Sequence, residues 1–224
     1  MPTIAEIRKS MPQDKSNYDR WGNPAAYFCA RPISYPITAL FVSAGLSANF
    51  ASLASIAFAL AAILTAAISY PAWIITTLIL LWLVLDCVDG NIARFTRTGS
   101  LKGEFLDAIG GYIITAGLYI AIGYGSGEQD ALLLGAAASI FSILSRLILN
   151  KSNVLSGSKR NSTGDTGSGW KAQWLLSIYN LSGIGLLLTY LALHFQAITE
   201  FLLFQATLGG IITIATAVSS WKNL

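Results

Sequence analysis

Charge is scarce in this chain. Lysine, arginine, aspartate and glutamate make up 11% of its 224 residues, whereas 54% are apolar. An ordinary soluble domain carries about twice that charged share, so a soluble helical core accounts poorly for the composition. Cysteine is almost absent too. Cys29 and Cys87 are the only two, too few and too badly spaced for a zinc site, and free thiols are expected. The first thirty residues lack the apolar run of a cleavable leader; they mix charges with Tyr18, Trp21, Tyr27 and Phe28. No repeat of fixed period runs through the chain.

What the chain does have is long apolar windows. Six stand out, at 49–69, 71–92, 104–124, 131–149, 172–193 and 198–220. Each is close to the roughly 20 residues that cross a bilayer as a helix. They predict an all-α integral membrane protein, with six transmembrane helices in one compact domain spanning 47–224. Residues 1–46 read as a cytoplasmic and interfacial segment, with an amphipathic helix within 3–30 and an apolar run at 33–46 too short to span. Trp73, Trp170, Trp174 and Trp221 fall near predicted span ends, where interfacial anchors belong.

Basic residues are missing from one side altogether. Arg8, Lys9, Lys15, Arg20 and Arg31 precede the first span, and Arg94, Arg97 and Lys102 lie between the second and third. Arg146, Lys151, Lys159, Arg160 and Lys171 lie at or between the facing ends of the fourth and fifth, and Lys222 ends the sixth. All 14 therefore share a side, while the opposite loops and span ends carry Glu128, Asp130, His194 and Glu200. That asymmetry predicts a multi-pass protein of the plasma or inner membrane, with both termini and the acidic cluster described next in the cytoplasm. The polar stretch 151–170 reads as a cytoplasmic connection. No nucleic-acid partner is expected.

The acids are few, and three aspartates, together with Glu104, are concentrated in "LDCVDGNIARFTRTGSLKGEFLDAIGG", residues 85–111. Asp86 and Asp89 are three apart and share a helix face. Asp107 lies about one turn into the next span, across a short basic loop. Three carboxylates converging at membrane depth would repel one another. A divalent cation, or two, relieves that repulsion, and all-oxygen ligation favours Mg²⁺, Mn²⁺ or Ca²⁺ over zinc. Gly90 and Gly103 permit close approach of backbone to a ligand or a neighbouring helix, and Arg94, Arg97 and Lys102 supply charge for a phosphate. Metals beside carboxylates and basic groups suit phosphoryl transfer. For a single pair such as Arg94 and Asp89, a helix-capping salt bridge is the alternative.

The stretch resembles the CDP-alcohol phosphotransferases (CDP-alcohol phosphatidyltransferases), whose signature is D-x2-D-G-x2-A-R-x8-G-x3-D-x3-D. Asp86, Asp89, Gly90, Ala93, Arg94, Gly103 and Asp107 meet seven of its eight positions at the right spacing. The segment 31–55 also resembles the family's interfacial helix and the start of its first span, with Ala48-Asn49-Phe50-Ala51-Ser52 where Pro-Asn-x-x-Thr is usual. The resemblance implies transfer of a phospho-alcohol or phosphatidyl group from a CDP-linked donor to an alcohol, with release of CMP, in phospholipid biosynthesis. It further implies two divalent ions, Mg or Mn, held by Asp86, Asp89 and Asp107. Gly90, Ala93, Arg94 and Gly103 would form the nucleotide pocket, in a membrane homodimer.

The eighth position departs. Where the family places the aspartate that deprotonates the acceptor hydroxyl, this chain has Gly111, so no catalytic base is assigned. Three readings follow: the acceptor is already an anion, another group is the base, or the chain is impaired and acts as a silent binding partner. Losing a general base costs about 10²–10⁴ in rate. A divalent-cation transporter is a further alternative; it predicts broken or polar helices near mid-membrane. Asn49 and Arg146 are candidates for the acceptor or phosphate site, with Lys159 and Arg160 behind them.

Overall fold

A computed structural model describes residues 2–156 and 170–222. Every regular element among them is helical. The N-terminal segment forms α1 (Ile4–Lys9), α2 (Gln13–Gly22) and a π-helical turn (Ala26–Ala30) that runs into α3 (Arg31–Ser43). Then follow α4 (Ala48–Ala67), α5 (Ala72–Thr96), α6 (Leu101–Gly125), α7 (Gln129–Leu155), α8 (Trp170–Tyr179), α9 (Gly185–His194) and α10 (Ile198–Lys222). Among the described residues five helices, α4, α5, α6, α7 and α10, are long and apolar enough to cross a membrane, and α9 is a shorter apolar helix. The chain is an all-α membrane protein, as its composition predicts. With 13 residues, α3 measures about 20 Å, too short for a hydrocarbon core of about 30 Å.

Local chemistry sets the helix limits that matter for function. The Ser47 hydroxyl accepts from the Phe50 N–H and starts α4. At the other end of the acidic stretch, Arg97 adopts a left-handed φ of 57° and stops α5. Three residues later the Ser100 hydroxyl accepts from the Gly103 N–H and starts α6. The turn between α5 and α6 is therefore short, and the two helices leave it antiparallel.

Antiparallel packing continues through the bundle. Ser69, after α4, donates to the Gly125 carbonyl at the end of α6. Thr199, at the start of α10, donates to Glu128 Oε2 at 2.6 Å. The α4–α5, α6–α7 and α9–α10 connections thus share one end of the molecule, opposite the α5–α6 turn. The register of α6 against α7 is fixed by close approach of small residues. A side chain on Gly135 would strike the Tyr119 carbonyl, one on Gly123 the Ala131 carbonyl, and the Ser139 hydroxyl donates to the Ala116 carbonyl at 2.8 Å. Continued along both helices, that register sets Gly111 opposite Arg146. The core between the helices is built from Ala59, Ala62, Ile79, Val88, Ile114, Leu118 and Ile122, all essentially inaccessible.

Two expectations need correction. The expected fifth span, 172–193, is not one helix: α8 and α9 are separated by a turn at 180–184. The N-terminal segment occupies this break. The Ala26 N–H donates to the Ser182 carbonyl at 2.9 Å, and the Ser182 hydroxyl donates to Asn23 Oδ1 at 2.6 Å. A buried Arg31–Asp19 ion pair, with Arg31 Nε at 2.7 Å from Asp19 Oδ2, holds that segment in shape. The expected connection 151–170 also begins later, because α7 runs on to Leu155. The rest of it, with Lys159 and Arg160, lies outside the described residues.

Candidate metal and nucleotide site

The α5–α6 hairpin brings the three aspartates together. One carboxylate oxygen from each of Asp86, Asp89 and Asp107 lies within 4.8 Å of the others. Asp89 is buried, Asp86 half-buried and Asp107 exposed, so the cluster opens outward through α6. Like-charged carboxylates so close in a partly dry site repel one another, which protonation or a bound cation would relieve. Three hard oxygen donors on two rigid helices fit Mg²⁺, Mn²⁺ or Ca²⁺.

A third helix supports the cluster. The Ser52 hydroxyl on α4 donates to Asp89 Oδ2 at 2.6 Å. This leaves the other Asp89 oxygen for a ligand and fixes the rotamer of the carboxylate.

Arg94 forms no direct ion pair with the acids. Among the described residues the ion pair is Arg31–Asp19, and Arg94 makes none with Asp89. Arg94 instead donates from Nη2 to Asn91 Oδ1 at 2.8 Å. Asn91 is buried, and its amide donates to Ser34 Oγ at 3.0 Å and Thr38 Oγ1 at 3.3 Å on α3. The guanidinium also needs Gly90, since a Cβ there would stand 2.9 Å from Nη1. Arg94 Nε is buried and has no partner. The guanidinium is thus held on one side and has an unsatisfied donor, as a phosphate-binding group requires.

The other sequence candidates fall around this centre. Ala93 is one turn beyond Asp89, and Gly103 one turn before Asp107. A Cβ on Gly103 would meet Asn49 Oδ1 at 3.4 Å, so Gly103 brings the start of α6 against Asn49. Asn49 in turn lines a groove of about 480 Å³ with Leu101, Lys102, Phe105 and Leu106. Arg146 is exposed on α7, and its Nη1 stands 3.2 Å from where a Cβ of residue 111 would be. A second, almost wholly apolar cavity of about 390 Å³ lies at the opposite end, against Leu188, Leu191, Phe195 and Phe201, remote from the acids.

Sequence reading missed Ser34, Thr38, Ser52 and Asn91. Ser52 alone carried a signal, since it stands at the threonine of the usual Pro-Asn-x-x-Thr. The others are hydroxyls and an amide in apolar helices, where bonding to a preceding carbonyl is equally open to a hydroxyl; Thr38 does bond the Ser34 carbonyl, at 2.8 Å.

No curated protein and no solved structure matches the chain. The family model described as CDP-alcohol phosphatidyltransferase matches residues 46–220, from the start of α4 almost to the end of α10. With the three aspartates converging as that family's signature requires, the chain belongs to the CDP-alcohol phosphatidyltransferase family.

Proposed function

We propose that this protein transfers a phospho-alcohol or phosphatidyl group from a CDP-linked donor to an acceptor and releases CMP. Family membership carries the coarser statement: these are membrane transferases of phospholipid synthesis that use a CDP-linked donor and a divalent metal. The observation that supports the finer reading best is the meeting of Asp86, Asp89 and Asp107 at one face of the α5–α6 hairpin.

Asp86, Asp89 and Asp107 would hold the cation, Mg²⁺ or Mn²⁺ and in all two ions, which when bound would supply Lewis-acid stabilisation of negative charge on the donor phosphates. Ser52 keeps Asp89 oriented. Arg94, braced by Asn91, takes a phosphate oxygen of the donor, while Gly90, Ala93 and Gly103 let the nucleotide lie close to the two helices. An acceptor oxygen bonds to the donor phosphorus as the phosphorus–oxygen bond to CMP breaks, and the proton of a hydroxyl acceptor passes to water or to the departing CMP phosphate. Gly111 offers no group to receive a proton from a neutral alcohol. The reaction runs on the cytoplasmic face, where the basic residues lie, in a homodimer.

Gly111 also favours a second reading, a family member that binds a CDP-donor without turning it over. Cation transport fits less well, because the broken α8–α9 segment is occupied by the N-terminal segment at Ser182 and carries no acid. A CMP-release assay against a panel of CDP-donors and acceptors in lipid tests the proposal. Metal-dependent CMP release with one donor–acceptor pair supports it. Binding without release under every pairing supports the silent partner.

A further inference from the structure

Lys15, in the N-terminal segment, is held beside the acidic cluster. It stands between two residues that grip Arg31 of α3. Arg31 Nη1 donates to Met11 Sδ at 3.5 Å, and Arg31 Nε donates to Asp19 Oδ2 at 2.7 Å. Lys15 and Asp19 are one turn apart on α2 and share a face. One turn past Arg31, the Ser34 hydroxyl accepts from the Asn91 amide, two residues beyond Asp89. These contacts tie the start of α2 to the end of α5 that holds the acids. Lys15 is half-buried there, and its charge acts across to Asp86 and Cys87 of α5. Among the described residues it makes no ion pair and no side-chain hydrogen bond.

The place is a poor one for a lysine with no task. Lys15 lies in the first turn of α2, where the helix dipole favours acids and opposes cations, and Pro12 supplies no side-chain cap. A lysine serving only solubility would extend its ammonium into water. The three carboxylates would attract it when the site holds no cation. With two divalent ions bound, four positive charges would face three carboxylates, and the ammonium would gain little from Asp86. It gains a partner when a diphosphate enters.

We propose, resting on the transfer reading above, that Lys15 binds a phosphate oxygen of the CDP-linked donor, as a second cation alongside Arg94. The α2 helix lies ahead of residues 46–220, the part the family model matches, so no signature residue marks it. An ammonium acts on phosphate as a point charge with three rotatable donors. It therefore needs no fixed fork and can turn from Asp86 to the donor. The N-terminal segment is on this account part of the donor site as well as a wedge in the α8–α9 break.

The test uses the full-length protein in phosphatidylcholine nanodiscs, with wild type, Lys15→Arg, Lys15→Gln and Lys15→Glu. Two affinities are read: Mn²⁺ alone, by electron paramagnetic resonance, and CDP at saturating Mn²⁺, by calorimetry. CDP affinity falls by about tenfold in Lys15→Gln, as expected on losing a charge-assisted contact, and further in Lys15→Glu. Lys15→Arg keeps most of it. Mn²⁺ affinity moves the other way, at or above wild type in Lys15→Gln and higher in Lys15→Glu. A merely structural lysine would not produce opposite signs. If Lys15→Gln does not fold, the Arg and Glu variants carry the comparison. CDP affinity equal across the series overturns the proposal, as does Mn²⁺ affinity that falls in step with it. Absence of Mn²⁺-dependent CDP binding in wild type strikes the transfer reading and this proposal together. Wild-type binding that Lys15→Gln and Lys15→Glu both retain strikes the role of Lys15 alone.

Discussion

The Ser52 hydroxyl on α4 donates a 2.6 Å hydrogen bond to Asp89 Oδ2 on α5, joining helices that carry residues 37 apart in the chain. Asp89 is the most buried of the three clustered acids, so it is the one whose geometry most needs support. Ser52→Ala removes the donor and leaves that oxygen without a partner. A hydrogen bond to a charged group contributes about 1.5–3 kcal/mol, so Mg²⁺-dependent CDP binding weakens by about tenfold or more. Ser52→Thr keeps the hydroxyl and retains binding. Calorimetric titration of both variants checks this, and an unaffected alanine variant would remove Ser52 from the site.

Arg94 depends on α3 through Asn91. Asn91→Ala frees the guanidinium and leaves the Ser34 and Thr38 hydroxyls without that partner. The expected outcome is weaker binding of the CDP-donor, by about tenfold, with little change in affinity for Mn²⁺ alone. Manganese titration followed by electron paramagnetic resonance separates the two effects. Equal loss of both would mean that Asn91 acts on the whole hairpin and not on Arg94.

The buried Asp19–Arg31 pair shapes the N-terminal segment that fills the α8–α9 break. Removing one partner of a buried pair costs about 3–5 kcal/mol because the other is left buried and charged. Asp19→Ala therefore lowers the thermal unfolding midpoint in detergent. Replacing both residues with apolar ones of similar volume restores most of it. A midpoint unchanged by Asp19→Ala would show that the pair does not hold the segment.

Orientation has its own test. The acids lie at the end of the bundle that carries Arg94, Arg97 and Lys102, and the expected cytoplasmic N-terminal segment places Ser10 on that side. A cysteine introduced at Ser10, with Cys29 and Cys87 replaced, stays unlabelled by an impermeant reagent applied outside intact cells. Labelling there would reverse the topology.

The convergence of the three aspartates was legible in the sequence because its geometry is local. Asp86 and Asp89 share a face by helical spacing, and the short turn ending in the Ser100 cap leaves Asp107 nowhere else to go. Gly111 was legible as a departure from a spaced pattern, but its partner was not. Arg146 meets it only through the α6–α7 register, which depends on contacts of Gly123, Gly135 and Ser139 with the opposite backbone. Asn91 and Ser34 were hidden for the same reason, since 57 residues separate them and a polar side chain in an apolar helix does not announce its partner. The break in the expected fifth span had a local signal that average hydropathy concealed. In Asn180-Leu181-Ser182-Gly183-Ile184-Gly185, side chains on Gly183 and Gly185 would run into the carbonyls of Ser177 and Asn180.

The most direct test of the central claim is a calorimetric titration of a CDP-donor into the purified protein, with Mg²⁺ and then with excess chelator, for wild type and Asp89→Asn. The account predicts binding by wild type that requires Mg²⁺, and none by Asp89→Asn under either condition. Binding that persists in Asp89→Asn, or that ignores the chelator in wild type, would contradict a metal-held nucleotide at Asp86, Asp89 and Asp107.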